Sequence, residues 1–145
     1  MKFTVEAVNI SLAKGVQKHE VPEIVCRPDH GIEGDAHAGP WHRQISLLAG
    51  EAVDTMKAKG LDLAPGAFGE NIVTRGVDWS RARVGERITI GDVELEITQI
   101  GKECHSRCAI YYAAGDCIMP RQGIFVRVRK GGTIHAENSG HYHIG

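Results

Sequence analysis

Three of the four cysteines in this 145-residue chain fall within one short stretch, at Cys104, Cys108 and Cys117, and the fourth, Cys26, stands alone. The first of the three lies in Gly101-Lys102-Glu103-Cys104-His105, and the last in Gly115-Asp116-Cys117-Ile118-Met119-Pro120. Three chemistries fit such a cluster: a structural metal, a disulfide, or a reactive thiolate. Cys104, His105, Cys108 and Cys117 would suffice for tetrahedral zinc, but zinc modules pair their ligands two to four residues apart, twice over, and Cys117 has no near partner. The first residues are not expected to act as an export signal, and a reducing cytoplasm would disfavour a disulfide framework. Cys104 is set apart by Lys102 and His105. Positive neighbours favour the thiolate, the form that attacks electrophiles or binds soft metals. Cys108 and Cys117 also read as small buried residues.

A second group of residues with chemical potential is Gly31-Ile32-Glu33-Gly34-Asp35-Ala36-His37-Ala38-Gly39, which runs into Trp41-His42-Arg43-Gln44. Its glycines turn the chain sharply or bring the backbone close to a partner. Asp35 and His37 could share a metal, or Asp35 could orient His37. Arg43 could hold an anion through its planar fork. The alternative is a glycine-rich turn whose Asp and His bond their own backbone. A third, weaker group is Gly66-Ala67-Phe68-Gly69-Glu70-Asn71, in which Asn71 and Glu70 can each cap or bind. It is not a phosphate loop, since no Gly-Lys-Ser/Thr follows. His141 and His143 could bind metal, but residues 135–145 read as a polar, solvated tail.

These groups need a scaffold. Ile88-Thr89-Ile90-Gly91-Asp92-Val93-Glu94-Leu95-Glu96-Ile97 alternates on both sides of Gly-Asp and predicts a two-residue hairpin. A second hairpin is expected across Ile124–Ile134, with Arg127 and Arg129 opposite its aliphatic face. Residues 3–7, 43–48 and 71–74 also read as strands. A single convincing helix spans about Gly50 to Lys59, with Glu51 and Asp54 early, Lys57 and Lys59 late, and Gly60 as its stop. A short helical turn is conceivable at 108–114. The 18 glycines have no period, which argues for many tight turns rather than repeats or linkers. Many short strands with one or two short helices predict a mostly β domain, closed as a barrel to remove exposed edges.

Bulk properties narrow the functional classes. A net charge of −1 gives no basic face for nucleic acid. No apolar run approaches the roughly 20 residues that span a bilayer, and an acidic residue stands where a signal peptide would be apolar. The expectation is a cytoplasmic protein with neither a nucleic-acid nor a membrane partner.

In this order, Gly34-Asp35-Ala36-His37-Ala38-Gly39, Arg43-Gln44-Ile45-Ser46-Leu47-Leu48, Gly66-Ala67-Phe68-Gly69-Glu70-Asn71-Ile72, Val84-Gly85-Glu86-Arg87-Ile88, Gly101-Lys102-Glu103-Cys104 and Gly123-Ile124-Phe125-Val126-Arg127-Val128 resemble the MOSC family, the C-terminal domain of molybdenum-cofactor sulfurases. The short, stand-alone bacterial members are most similar. The resemblance implies one MOSC-type β-barrel over residues 1–145, with a core from about 8 to 134. It implies an essential cysteine at Cys104, acting on sulfur or ligating molybdenum, and a molybdenum cofactor or molybdenum ion held with Asp35, His37, Arg43, Asn71, Lys102 and Arg127. A molybdoenzyme or a sulfur-donor protein would be the partner. Descriptions of the family also attach pyridoxal phosphate, which belongs to the sulfurases' other domain. This chain has no room for that domain, so pyridoxal phosphate is not expected to bind. The chain departs from the family where Gly101-Lys102-Glu103 stands in place of the usual Arg-x-Pro before the key thiol, leaving Lys102 as a partial substitute for the arginine. It departs again where His135-Ala136-Glu137-Asn138 follows Gly131-Gly132-Thr133-Ile134. Three functions are therefore set against one another: cofactor handling through Cys104, with sulfur-carrier or sulfurtransferase activity; a non-enzymatic carrier or sensor for molybdate, tungstate or the cofactor; and a zinc-bearing interaction domain.

Overall fold

The computed structural model describes residues 1–101 and 123–144. Their elements are β1 (Lys2–Ile10), β2 (His19–Val21), β3 (Glu23–Arg27), β4 (Gly31–Ile32), β5 (Ile45–Ala49), α1 (Gly50–Lys57), β6 (Ile72–Arg75), β7 (Arg87–Ile90), β8 (Val93–Ile100), β9 (Ile124–Lys130), β10 (Gly132–His135) and β11 (Ser139–His143). A 3-10 turn spans Trp79–Arg81. Seven strands close a barrel in the order β11-β7-β8-β9-β5-β6-β1, with β11 returning to pair β1, and β2 extends the sheet beyond β1. The mostly β barrel expected from the alternating patterns is therefore present.

Every barrel pairing is antiparallel except β5 with β6. A parallel pair needs a long crossover, and residues 50–71 supply it, with α1 laid on the outside of the barrel. This explains why β5 is apolar without alternation. Ile45 and Leu47 face the barrel core, while Leu48 packs outward with Val53, Met56, Leu63 and Phe125. The two faces of β9 divide the same way: Ile124, Val126 and Val128 point in, and Phe125 lies under the crossover.

The hairpin at Gly91-Asp92 forms as expected, with Ile90 opposite Val93. The helix runs Gly50–Lys57 and unwinds through a turn to Gly60. The second expected hairpin does not form. After β9 the chain leaves the barrel, and β10 pairs with β3 in a separate β10-β3-β4 sheet. Gly131 permits the switch, because a Cβ there would lie 2.6 Å from the Cys26 carbonyl oxygen of β3. The solvated tail is also corrected. Ser139–His143 is the strand that closes the barrel, paired to β1 on one side and β7 on the other. Its one large apolar side chain, Tyr142, is buried against Trp79 at a ring separation of 5.1 Å. The core consequently reaches beyond 8–134 at both ends, from Phe3 to Tyr142. The helical turn expected at 108–114 lies outside the described residues.

Candidate functional site at the end of the first strand

The glycine-rich segment 31–43 crosses the end of β1, and the structure gives its carboxylate a partner that the sequence does not announce. Asp35 Oδ1 accepts from Lys18 Nζ at 2.7 Å and from the Ser11 backbone N–H at 3.1 Å. Oδ2 accepts from the His37 backbone N–H at 3.1 Å. Both side chains of the Lys18–Asp35 pair are wholly shielded from solvent. Lys18 Nζ also lies 3.2 Å from Ser11 Oγ and 3.0 Å from His37 Nδ1. Asp35 and His37 therefore do not share a metal. An ammonium stands between them, and among the described residues no cluster of three or more metal-ligating side chains forms. Nor does Asp35 orient the His37 ring directly, since Oδ2 to Nδ1 is 3.9 Å. It acts through Lys18 and through the backbone.

The loop before β6 holds Lys18 in place. Lys18 N–H donates to the Gly66 carbonyl at 2.9 Å. Gly66 has φ +91°, and any Cβ would overlap the Lys18 carbonyl oxygen. Glu70 fixes the loop from beneath, accepting from the Gly66 N–H at 3.1 Å and the Phe68 N–H at 3.0 Å. Burial pushes the Glu70 carboxyl above its ordinary range, against the opposing pull of those N–H groups and of Lys18. Asn71 is next to it and is committed to the scaffold. Its Oδ1 accepts from the Ser46 N–H at 3.0 Å, and its Nδ2 donates to the Asn9 carbonyl at 3.0 Å, tying β1, β5 and β6 together.

On the open side, Trp41 organises the cations. Its Nε1–H donates to the His37 carbonyl at 2.7 Å, and its ring lies nearly parallel to the His37 ring. Lys14 Nζ is 5.1 Å from the Trp41 ring centre. Arg43 Cζ is 4.7 Å from the same ring and 5.7 Å from Phe125. Contacts of this kind are attractive for cations, yet they use none of the guanidinium's N–H donors. Among the described residues the buried Nε of Arg43 has no hydrogen-bond partner and no carboxylate pairs with Arg43. Arg127 shares the buried, unpartnered Nε, but its Nη2 is bonded to Asp29, and that contact, first as a hydrogen bond, holds the Asp29 carboxyl below its usual range.

The site thus gathers Asp35, His37 and Arg43, makes Asn71 a strut, and turns Arg127 toward Asp29. Lys102 and Cys104 lie outside the described residues, as do His105, Cys108 and Cys117. The stem of their segment is described. Gly101 N–H donates to the Gly123 carbonyl at 2.7 Å, which ties together the two described residues that flank 102–122. The Gln99 side chain bridges this stem to the site. Its Oε1 is 2.8 Å from His42 Nε2, and its Nε2 donates to the Gly101 carbonyl at 2.8 Å. Gly101, the last described residue before Cys104, is therefore linked through Gln99 to His42, the neighbour of Trp41 and Arg43. Ser11, Lys18 and Trp41 are the participants that sequence reasoning missed, while Glu70, weighed there as a cap or a ligand, braces the 66–70 loop. Trp41 could have been found by its adjacency to Arg43. Lys18 carries no local signal, because its partners come from another loop.

A cleft of about 540 Å³ lies elsewhere, lined by Met1, Ala49, Ala52, Val77 and Trp79 among others. Met1 and Ser11 flank opposite ends of nine-residue β1, about 30 Å apart at a strand's ~3.3 Å rise. The cleft is therefore distinct from the Lys18–Asp35 site.

The family model for the MOSC domain matches residues 34–139, which takes in the glycine-rich segment, the crossover and most of the barrel. The chain belongs to the MOSC family. Solved structures share the MOSC fold. YuaD from Bacillus subtilis superposes with a TM-score of 0.80 at 18% identity, over 97% of this chain and 94% of that one. YiiM from Geobacillus stearothermophilus gives 0.71 at 17%, over 98% and 75%, and YiiM from Escherichia coli gives 0.67 at 20%, over 100% and 71%. At these identities the likeness is one of fold. No curated protein matches the chain by sequence. Among the described residues of this MOSC barrel, no helix is long and apolar enough to cross a membrane.

Proposed function

We propose that this MOSC domain binds the anionic molybdenum cofactor at the Trp41–Arg43 surface and acts on its metal or sulfur through the Cys104 thiolate. The single observation that carries the reading is Arg43. A guanidinium with a buried, unpartnered Nε, held over an indole, is a costly arrangement in a free protein. It becomes favourable when an anion completes it, and a phosphate takes two parallel N–H bonds from such a fork. Lys14 on the same ring supplies a second positive charge. The donor set thus fits the phosphate-bearing end of a pterin cofactor. The cofactor would supply molybdenum, a soft-ligand metal centre. The protein's contribution is to bind it, orient it and present a thiolate.

Cys104 follows Gly101 by three residues, a reach of at most about 11 Å even fully extended, and Gly101 is tied to His42 through Gln99. That supports placing the thiol within range of a ligand on Arg43. Sulfur carriage and plain cofactor carriage use the same surface. A turnover assay with a persulfide donor and an apo-acceptor separates them.

The binding test is protein purified from cofactor-replete cells, assayed for molybdenum and for pterin fluorescence. Arg43→Gln should lose both, at least tenfold. Cys104→Ala should lose both with the thermal melting curve unchanged. Arg129→Gln, whose side chain bonds Glu96, is the control and should retain them. Cofactor retained at wild-type levels by both Arg43→Gln and Cys104→Ala would overturn the proposal.

A further inference from the structure

We infer that Lys18 fixes His37 as a neutral imidazole protonated at Nε2, with its Nδ1 engaged as an acceptor and so unable to act as a general base. The inference follows from counting protons around one nitrogen. Lys18 Nζ has three acceptor neighbours: Asp35 Oδ1 at 2.7 Å, His37 Nδ1 at 3.0 Å and Ser11 Oγ at 3.2 Å. An ammonium has three protons and no lone pair, so it satisfies all three. The serine fits the same scheme. Its hydroxyl proton goes to the Ala13 carbonyl at 3.0 Å, which leaves a lone pair for Lys18.

The alternative places the proton on His37 Nδ1 and leaves Lys18 a neutral amine. An alkyl amine is on the order of 10⁴ more basic than an imidazole. The buried carboxylate also lies 2.7 Å from the amine but 3.9 Å from the ring nitrogen. Both facts keep the shared proton on lysine. His37 Nδ1 is then an acceptor, and a neutral ring must carry its proton on Nε2. The Trp41 indole secures the geometry by holding the His37 carbonyl and lying parallel to the ring.

Lys18 is thus a positioning residue. It sets the polarity of His37 while touching no ligand itself. The tautomer does not rest on the proposed function. Only the mechanistic expectation changes: Asp35 and His37 form no carboxylate–imidazole proton relay.

The experiment is long-range ¹H–¹⁵N correlation of the imidazole rings in ¹⁵N-labelled protein at pH 7, with His37 assigned by its loss in His37→Gln. The wild type should show His37 as a single Nε2–H neutral ring. An Nδ1–H ring or an imidazolium would overturn the inference, and this reading needs no variant at Lys18. In Lys18→Met the tautomer should be released, seen as a shift of both ring nitrogens toward an exchange average. An unchanged Nε2–H ring there would show that Lys18 does not set it.

Discussion

Removing the two members of the Lys18–Asp35 pair should have unequal costs. Both side chains are fully buried, and breaking such a pair from one side typically costs about 3–5 kcal/mol because a bare charge remains. Asp35→Asn exposes the full penalty. Lys18 keeps only the neutral Ser11 Oγ and His37 Nδ1, and the new amide group points donors at an ammonium or at a backbone N–H. Lys18→Met is milder. The Asp35 carboxylate retains the Ser11 and His37 N–H groups at 3.1 Å each, so the cost should be about 1–3 kcal/mol, closer to that of losing one buried hydrogen-bond partner. In a domain of this size each kcal/mol lowers Tm by roughly 2–4 °C. Asp35→Asn should therefore melt roughly 6–20 °C below wild type, with Lys18→Met between the two. The double variant should be more stable than Asp35→Asn alone, since the orphaned cation is gone. Urea titrations with a common slope give the free energies. A double variant whose loss equals the sum of the singles within about 0.5 kcal/mol would refute coupling through this pair.

Two further outcomes follow from buried titratable groups. Burial raises the Glu70 carboxyl above its ordinary value of 4.5, so the folded protein keeps this proton at a pH where the unfolded chain has released it. The stability from this group is complete below the unfolded value and is lost as pH rises through the folded one. Glu70→Gln should flatten that part of the stability profile, and urea midpoints above pH 4.5 that fall as steeply as in wild type would contradict it. Cys26 is buried in β3 with its thiol pushed up to about 12 by desolvation. Alkylation at pH 8 followed by peptide mass spectrometry should leave Cys26 unmodified in folded protein and modified in urea. Modification in folded protein at the rate seen in urea would contradict the assignment.

How much of this was legible beforehand depends on whether the information is local. Strands with period-two patterns, such as 88–90 and 93–97, and the amphipathic Gly50–Lys57 helix announce themselves, because each needs only its own side chains to define a buried face. β11 did not. Ser-Gly-His-Tyr-His buries a single large side chain, and its partners lie in β1 and β7. β10 misled for a related reason. Its alternation is genuine, but the close packing at Gly131 directs it to β3 instead of back along β9.

The candidate site divides along the same line. The sequence by itself determined the family, the cysteine-bearing segment and the residue types Asp35, His37 and Arg43, because those motifs are contiguous. Only the tertiary structure decided their states. It brought Lys18 from another loop to neutralise Asp35 and to donate to His37. It spent Asn71 on holding strands together and Arg127 on Asp29, and it left Arg43 over Trp41 without a carboxylate partner among the described residues. A sequence lists which groups can ionise or donate. Which of them are already satisfied depends on partners distant in the chain, and a buried polar group's free energy is set by those partners.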